Sequence, residues 1–416
     1  MLKKDKKNVF LLGVTSFFTD VSSEMIFAVL PIFLRNVLGA PFAVIGLIEG
    51  LAEGVSSFLK YFSGWASDFM KKRKALAFLG YSFSTASKMF LILATSWPFV
   101  LLLRVLDRVG KGIRTSPRDA LIAESVEEKE RGKYFGLHRA MDSAGAFLGV
   151  GLVILIFYLN FKQISFDNNQ VVPIVKNIFL IAFIPALFAL IPFFFIKDAP
   201  QKESVSRANP SLKIFNFKGF PITFYKGVFV LGILALGNIS YAFFLLKSQS
   251  IGMALFLLPL LYLIYNFFYA VFSYPAGKLS DKFGRVQVLS FGFFILSLVF
   301  LAAAFNKSQN LIWPIFAFYG LSLAITDSVS KAFVADINQG ERKGESFGFY
   351  YMVIGLLSIL GNFVFGLLWD KINHTLPFLI AGIVVAIGAF LLLIVFKNHQ
   401  GIPQERGAKN FRSYRS

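Results

Sequence analysis

Long apolar segments recur along nearly the whole chain, and about twelve of them reach the roughly 20 residues that a helix needs to cross a bilayer core. They lie near residues 9–34, 42–66, 75–95, 98–122, 134–159, 174–196, 224–246, 253–274, 286–305, 311–334, 346–368 and 376–396. Hydrophobic residues make up 56% and charged residues only 16% of the 416 positions, too few polar groups to cover a soluble globule of this size. The sequence therefore predicts an all-α, multi-pass membrane protein.

The distribution of basic residues predicts the orientation in the membrane. Lys and Arg are concentrated at both chain ends and in the loops on the same side, for instance at 71–74 and 397–416. Because basic loops stay in the cytoplasm, we expect both termini to be cytoplasmic, in the inner membrane of a bacterial cell. The net charge of +19 is then explained by orientation and by anionic lipid, and does not require nucleic acid as a partner.

The chain contains an internal repeat. The stretch GWASD at 64–68, followed by a basic run, is similar to GKLSDKFGR at 277–285. A second stretch, RGKYFG at 131–136, is similar to KGESFG at 343–348. Duplicated hydrophobic bundles are typical of secondary transporters. A polar connection separates the copies, which predicts a first six-helix bundle at 1–196, a linker at 197–223, a second bundle at 224–396 and a basic tail at 397–416.

The repeated stretches resemble a signature of the major facilitator superfamily. The resemblance is carried after the second and eighth predicted helices by Gly64, Asp68 and Arg73, and by Gly277, Asp281 and Arg285. Arg104 with Gly110 and Gly112, then Glu124 and Arg131, is similar to the fourth-helix pattern of the superfamily and the loop that closes it. The resemblance implies two pseudo-symmetric six-helix bundles, transport by alternating access, and a cytoplasmic gate that favours the outward-open state.

The gate also has a physical basis. An Asp at a helix end can pair with nearby basic side chains in only one of two relative positions of the helices, and such pairs act as a latch. The alternative is that the basic residues serve only as a topology signal.

Charge runs along one face of the fourth predicted span. At 100° per residue, Arg104, Asp107, Arg108 and Lys111 fall on about a third of the helix circumference. Such a stripe cannot face lipid, so it must line a cavity or be paired with neighbouring helices. Further charged candidates for substrate binding or proton coupling lie within the first half, namely Asp20, Glu24, Glu49, Glu53, Lys88, Arg139 and Asp142.

Acidic and basic groups within these spans are nearly balanced, which leaves two interpretations open. In the first, a carboxylate takes up and releases a proton in each cycle, and thereby couples proton flow to the movement of an organic anion. Glu53, Asp20 and Asp142 are the candidate carriers, since all three lie at middle depth. In the second, the network is a static ionic core.

The second half carries few charges within its spans. Asn238 and Tyr241 are candidate substrate contacts, or else bridges between helices. Asp327 and Lys331 have i, i+4 spacing, which predicts a structural salt bridge.

Several classes of chemistry find no support in the sequence. The three histidines have no metal-ligand spacing, Cys is absent, and no phosphate-binding glycine loop is present, so we expect no cofactor and no enzymatic activity. We predict a monomeric carrier of a small organic solute, favouring an organic anion or carboxylate, with protons as the coupling ion. The alternatives are a multidrug or cationic-drug exporter that uses Asp20 and Glu24, and a transporter-fold receptor or lipid translocator.

Overall fold

A computed structural model describes residues 6–70, 72–126, 131–160, 168–197, 219–338 and 343–397. Over these ranges the secondary structure is helical. The α-helices are α1 Lys6–Ile32, α2 Phe42–Met70, α3 Arg73–Leu91, α4 Trp97–Ser125, α5 Arg131–Leu159, α6 Asn168–Phe188, α7 Ile222–Leu236, α8 Tyr241–Ser250, α9 Leu258–Phe283, α10 Arg285–Phe305, α11 Gln309–Ile337, α12 Lys343–Lys371 and α13 Leu376–Val395. Successive long helices run in opposite directions, and α7 and α8 together make one crossing.

Ten of the crossings in the described ranges are long and apolar enough to span a membrane by composition. The two that fail this test are α3 and α4, which are 19 and 29 residues long and therefore long enough to cross. α4 packs between α2 and α3, whereas α3 packs on α4 and α6 with one side and exposes Phe78, Leu79, Met89 and Phe90 on the other. The prediction of twelve crossings in an all-α membrane protein is thus confirmed, and α4, one of the two polar helices, contributes side chains to the cavity described below.

The helices form two bundles. In the first, α1 packs on α5 and α6, and α4 packs on α2 and α3; in the second, α9 packs on α11, α10 on α11 and α13, and α7 on α12 and α13. The bundles meet where α2 crosses α12 and where α5 meets α9. We call the side where α1 begins the N-terminal face and the opposite side, where α1 ends, the far face. The predicted linker lies mostly in 198–218 and the basic tail in 398–416, outside the described residues.

Glycines allow α2 and α12 to touch backbone to backbone. A Cβ added at Gly46 would lie 2.0 Å from the carbonyl oxygen of Asn362, and one added at Gly366 would lie 2.3 Å from that of Phe42. No side chain fits at such a distance, so only glycine permits this approach. The close crossing begins at the far face and continues inward to Gly54 and Gly355.

Hydrogen bonds between the bundles also lie in the half of the molecule near the far face. The backbone N–H groups of Phe42 and Ala43 donate to the carboxylate of Asp370 at 3.0 and 2.8 Å, so a residue of α12 caps the start of α2. Ser240 donates to Glu49 at 3.4 Å. The far face is closed by these contacts.

The seventh crossing is interrupted between α7 and α8. Asn362 on α12 satisfies the interrupted backbone: its side-chain oxygen accepts from the N–H of Ser240 at 2.9 Å, and its amide donates to the carbonyl of Asn238 at 3.3 Å. Ser240 in turn accepts from the N–H of Ala242 and caps α8. A helix break at membrane depth requires such partners, because no water is available there.

Candidate functional site: a charged cavity between the bundles

A cavity of about 280 Å³ lies between the bundles, walled by α1, α4 and α5 on one side and by α9 and α11 on the other. Ionisable side chains dominate its lining. The carboxylates are Asp20, Glu24, Asp107, Asp142 and Asp327, and the cations are Arg108, Lys111, Arg114 and Arg139. The charged face predicted on the fourth span is therefore turned into the protein, as the cost of charge in lipid requires.

The charged groups of that face that lie nearer the far face are paired with other groups of the protein. Arg104 lies 3.2 Å from Glu49 on α2 and 3.8 Å from Asp107, and Arg108 lies 3.7 Å from Asp107. Asp107 also accepts a hydrogen bond from Ser84 on α3. Both guanidinium groups lie over the ring of Phe27, at 4.4 and 4.7 Å from its centroid. Arg104 does not line the cavity, so its position fits a structural ion pair that ties α4 to α2.

Lys88 has a comparable position on α3. Its side chain is 3% exposed, and its ammonium donates to the hydroxyl of Ser23 at 2.9 Å and to the carbonyl of Thr19 at 3.3 Å. These bonds connect α3 to α1 behind the cavity wall. Lys88 is therefore buried beside the site and does not line it.

Four charged groups in the cavity differ from this network. Lys111 and Arg114 on α4, Arg139 on α5 and Asp20 on α1 all line the cavity, and within the described residues none of their side chains has a hydrogen bond or an ion pair. Charged groups without protein partners are costly unless water or a ligand satisfies them. Arg114 lies over the ring of Tyr81, 4.4 Å from its centroid. Lys111, Arg139 and Asp20 are therefore the lining groups that remain without a described partner and available to a solute.

Two further carboxylates of the first bundle lie in the same wall. Glu24 accepts a hydrogen bond from the hydroxyl of Tyr262 at 2.7 Å, which joins the bundles at the end of the cavity nearer the far face. Asp142 lies 3.7 Å from Nδ1 of His138, one turn earlier on α5. Its other oxygen is buried and has no hydrogen-bond partner in the described residues.

The three tyrosines of the second-bundle wall were not predicted from the sequence. The wall is made by Tyr262, Tyr265 and Tyr269 of α9, together with Asn266, Ala270 and Asp327. The tyrosines have i, i+3, i+7 spacing, so a search for aromatic periodicity would have found them. The predicted substrate contacts Asn238 and Tyr241 lie instead beside the interruption of the seventh crossing, and they do not line the cavity.

The predicted salt bridge between Asp327 and Lys331 is wrong. Within the described residues no ion pair joins them, and Asp327 instead accepts a hydrogen bond from the hydroxyl of Tyr269 at 3.3 Å. Asp327 is exposed in the cavity, and Lys331 is exposed as well. Helical spacing places the two side chains at neighbouring positions, but both are exposed to the open space between the bundles. Water there solvates each charge and weakens the attraction between them.

Glu53, a third predicted proton carrier, occupies another position. Its carboxylate is exposed and accepts a hydrogen bond from Ser57 at 3.3 Å, but it does not line the cavity. The exposure of Glu53, Arg139, Asp327 and Lys331 indicates that the space between the bundles is open toward the N-terminal face. The same space is closed at the far face.

The residues of the predicted gate lie on the N-terminal face. Arg73 pairs with Glu124, and both belong to the first bundle. In the second bundle Arg285 lies 2.6 Å from Asp281 and 3.2 Å from Asp336, and it donates to Ser280.

Each described pair of the gate thus lies within one bundle, and a Cβ added at Gly277 would meet nothing within 4 Å among the described residues. The side chains at positions 64, 68 and 131, which the sequence assigns to the same gate, lie outside the described residues. No cluster of three or more potential metal ligands occurs within the described ranges.

Comparison with known proteins identifies the family. The model of the Major Facilitator Superfamily matches residues 12–261 and 227–415, which together cover nearly the whole chain. The chain belongs to the major facilitator superfamily. It is 38% identical over 395 residues to an uncharacterised transporter of this superfamily from Methanocaldococcus jannaschii, covering 94% of this chain and 95% of the relative.

Solved structures show the same fold. A mutant of the nucleoside transporter NupG matches with a TM-score of 0.75 at 15% identity, covering 93% of this chain and 99% of that one. A D-xylose-proton symporter matches with a TM-score of 0.72 at 14% identity, covering 93% and 96%. The chain is thus a multi-pass membrane transporter for a small solute, and not an enzyme.

Proposed function

We propose that this chain is a proton-coupled secondary transporter of small organic anions. The observation that carries the proposal is which of the cations are paired with carboxylates and which are not. Arg104 and Arg108 pair with carboxylates, whereas Lys111 and Arg139 line the cavity without a carboxylate partner in the part of the chain that the structure describes. An ammonium and a guanidinium on neighbouring helices form a binding site for a carboxylate, because each can donate to one of its oxygens.

Asp20 and Asp142 are the proposed proton carriers. Both line the same cavity as the two free cations, and Asp20 has no hydrogen bond or ion pair in the described residues. When the bundles close around a solute, a carboxylate without a partner loses its water and is stabilised by taking up a proton. Release of that proton on one side of the membrane then couples the cycle to the proton gradient.

The described conformation corresponds to the inward-open state of this cycle. The distribution of basic residues favours a cytoplasmic N-terminal face, and the cavity opens toward that face. The bundles are joined near the far face by the crossing of α2 with α12 and by Asp370. We propose that outward opening breaks these contacts, and that the gate residues on the N-terminal face then come together across the bundles.

Flux measurements on the purified chain in liposomes test the proposal. Vesicles that contain a pH-sensitive dye receive an imposed pH gradient, and a panel of carboxylates is added outside. We expect proton flux that depends on the added carboxylate, its loss in Lys111→Gln, and its retention in Lys226→Gln. Lys226 is a matched control, since it is exposed on α7 and does not line the cavity. Asp20→Asn should still bind the anion without moving protons.

One observation favours a second function, the export of cationic drugs. Asp327 and Asp20 are cavity carboxylates without a cation, and Tyr262, Tyr265 and Tyr269 present aromatic rings that can bind a cation. The same vesicles decide between the two. Flux driven by lipophilic cations that survives Lys111→Gln and is lost in Asp327→Asn would reverse the ranking.

A further inference from the structure

We propose that the transported anion carries an aromatic ring, and that it bridges the bundles with its anionic group on α4 and α5 and its ring on α9. This inference rests on the proposed function and narrows the class of substrate. It follows from how charge and aromatic surface are divided between the two walls of the cavity.

The cations belong to one wall. Arg108, Lys111, Arg114 and Arg139 all come from α4 and α5, and no Lys or Arg of the second bundle lines the cavity in the part of the chain that the structure describes. An anionic group that seeks a cation must therefore bind to the first bundle. The opposite wall can contact only the remainder of the solute.

That opposite wall contains three tyrosine rings that follow one another along α9. The centroids of Tyr262 and Tyr265 are 5.6 Å apart and those of Tyr265 and Tyr269 are 6.3 Å apart, with 43° between the ring planes in both pairs. Tyr265 is also supported from behind by Tyr319, at 5.2 Å. Centroid separations of 4.5–7 Å are those of interacting aromatic pairs, so the wall has the geometry into which a further ring can pack.

Hydrogen bonds hold the ends of this wall and leave its middle free. The hydroxyl of Tyr262 is bound to Glu24, and that of Tyr269 is bound to Asp327. The hydroxyl of Tyr265 has no hydrogen-bond partner among the described residues. Tyr265 can thus offer both a ring face and a donor to a solute that lies between it and Lys111.

The size of the cavity suits a small ring system. Its volume of about 280 Å³ is near the lower end, about 300 Å³, of pockets that hold small molecules. One or two fused rings with a single anionic group fit such a space.

Three ligands of nearly equal size test the inference by calorimetric titration of the purified full chain. They are 2-naphthoate, decahydro-2-naphthoate, which keeps the charge and loses the aromatic ring, and 2-naphthamide, which keeps the ring and loses the charge. We expect 2-naphthoate to bind about tenfold more tightly than either analogue, because each analogue lacks one of the two contacts.

Variants assign these preferences to residues. Tyr265→Leu should abolish the preference for 2-naphthoate over its saturated analogue, and Tyr265→Phe should keep it. Lys111→Gln should abolish the preference for 2-naphthoate over the amide. Tyr158→Leu is the matched control, since Tyr158 is 74% exposed on the outer side of α5, and it should change neither preference.

The outcomes separate the inference from the proposed function. Equal binding of the aromatic and saturated carboxylates, or an unchanged preference in Tyr265→Leu, overturns the inference and leaves anion transport standing. Tighter binding of the amide than of 2-naphthoate overturns both. If none of the three binds, the inference fails, and proton flux with aliphatic carboxylates decides the proposed function.

Discussion

Asp370 provides the most direct test of how the far face closes. Its carboxylate accepts from the backbone N–H groups of Phe42 and Ala43 at 3.0 and 2.8 Å, and it lies at the positive end of the α2 dipole. These bonds link α12 of the second bundle to α2 of the first. They can form only while the far face is closed, so their loss should shift the conformational equilibrium.

The size of the shift can be worked out from these contacts. Asp370→Asn keeps one acceptor oxygen and loses the charge and the second acceptor. A hydrogen bond to a charged group contributes about 1.5–3 kcal/mol, and we take the low end because Asp370 is exposed to water. Because about 1.4 kcal/mol corresponds to a tenfold change in an equilibrium constant, the ratio of far-open to far-closed molecules should rise about tenfold.

Distance measurements between spin labels on the two bundles would detect this change. The chain has no cysteine, so introduced residues are the sole labelling sites. Leu93 and Lys307 are exposed in loops of the far face, one in each bundle. Lys371→Gln is the matched control, since it removes a neighbouring exposed charge without a described contact. An unchanged distance distribution in Asp370→Asn, or an equal change in the control, would refute the role of this cap.

Three further variants probe other contacts. Gly46→Ala places a methyl group against the carbonyl of Asn362, which costs about 1–3 kcal/mol in the far-closed state alone. The spin labels at positions 93 and 307 should then report more far-open molecules. An unchanged ratio of far-open to far-closed molecules would contradict the close crossing. Arg104→Met leaves Glu49 buried without its partner, a loss of about 3–5 kcal/mol, and thermal unfolding should occur at a clearly lower temperature than in Arg139→Met. Asn362→Leu removes the partners of the α7–α8 interruption, and protease resistance should fall; unaltered resistance would argue against this role.

The sequence determines the class of the molecule. Apolar segments of membrane-spanning length can satisfy their backbone groups in lipid only as helices, so the all-α fold follows from composition and period. The repeat at 64–68 and 277–285 indicates the duplication, and the charged face of the fourth span indicates which helix turns toward the interior. Each of these is a local sequence pattern, and its structural consequence does not depend on contacts between distant parts of the chain.

Tertiary structure alone decides the partners. Arg104 and Lys111 lie on the same helical face, yet Glu49 of α2 pairs with the former, and no carboxylate among the described residues pairs with the latter. Asp327 and Lys331 have ideal spacing for a salt bridge, yet both are exposed, and Asp327 accepts a hydrogen bond from Tyr269 of α9 instead. The strength of an ionic interaction depends on distance and on water between helices that are far apart in the chain, and helical spacing contains neither quantity. Which charges of the cavity remain without a partner is therefore decided by how the helices are placed side by side.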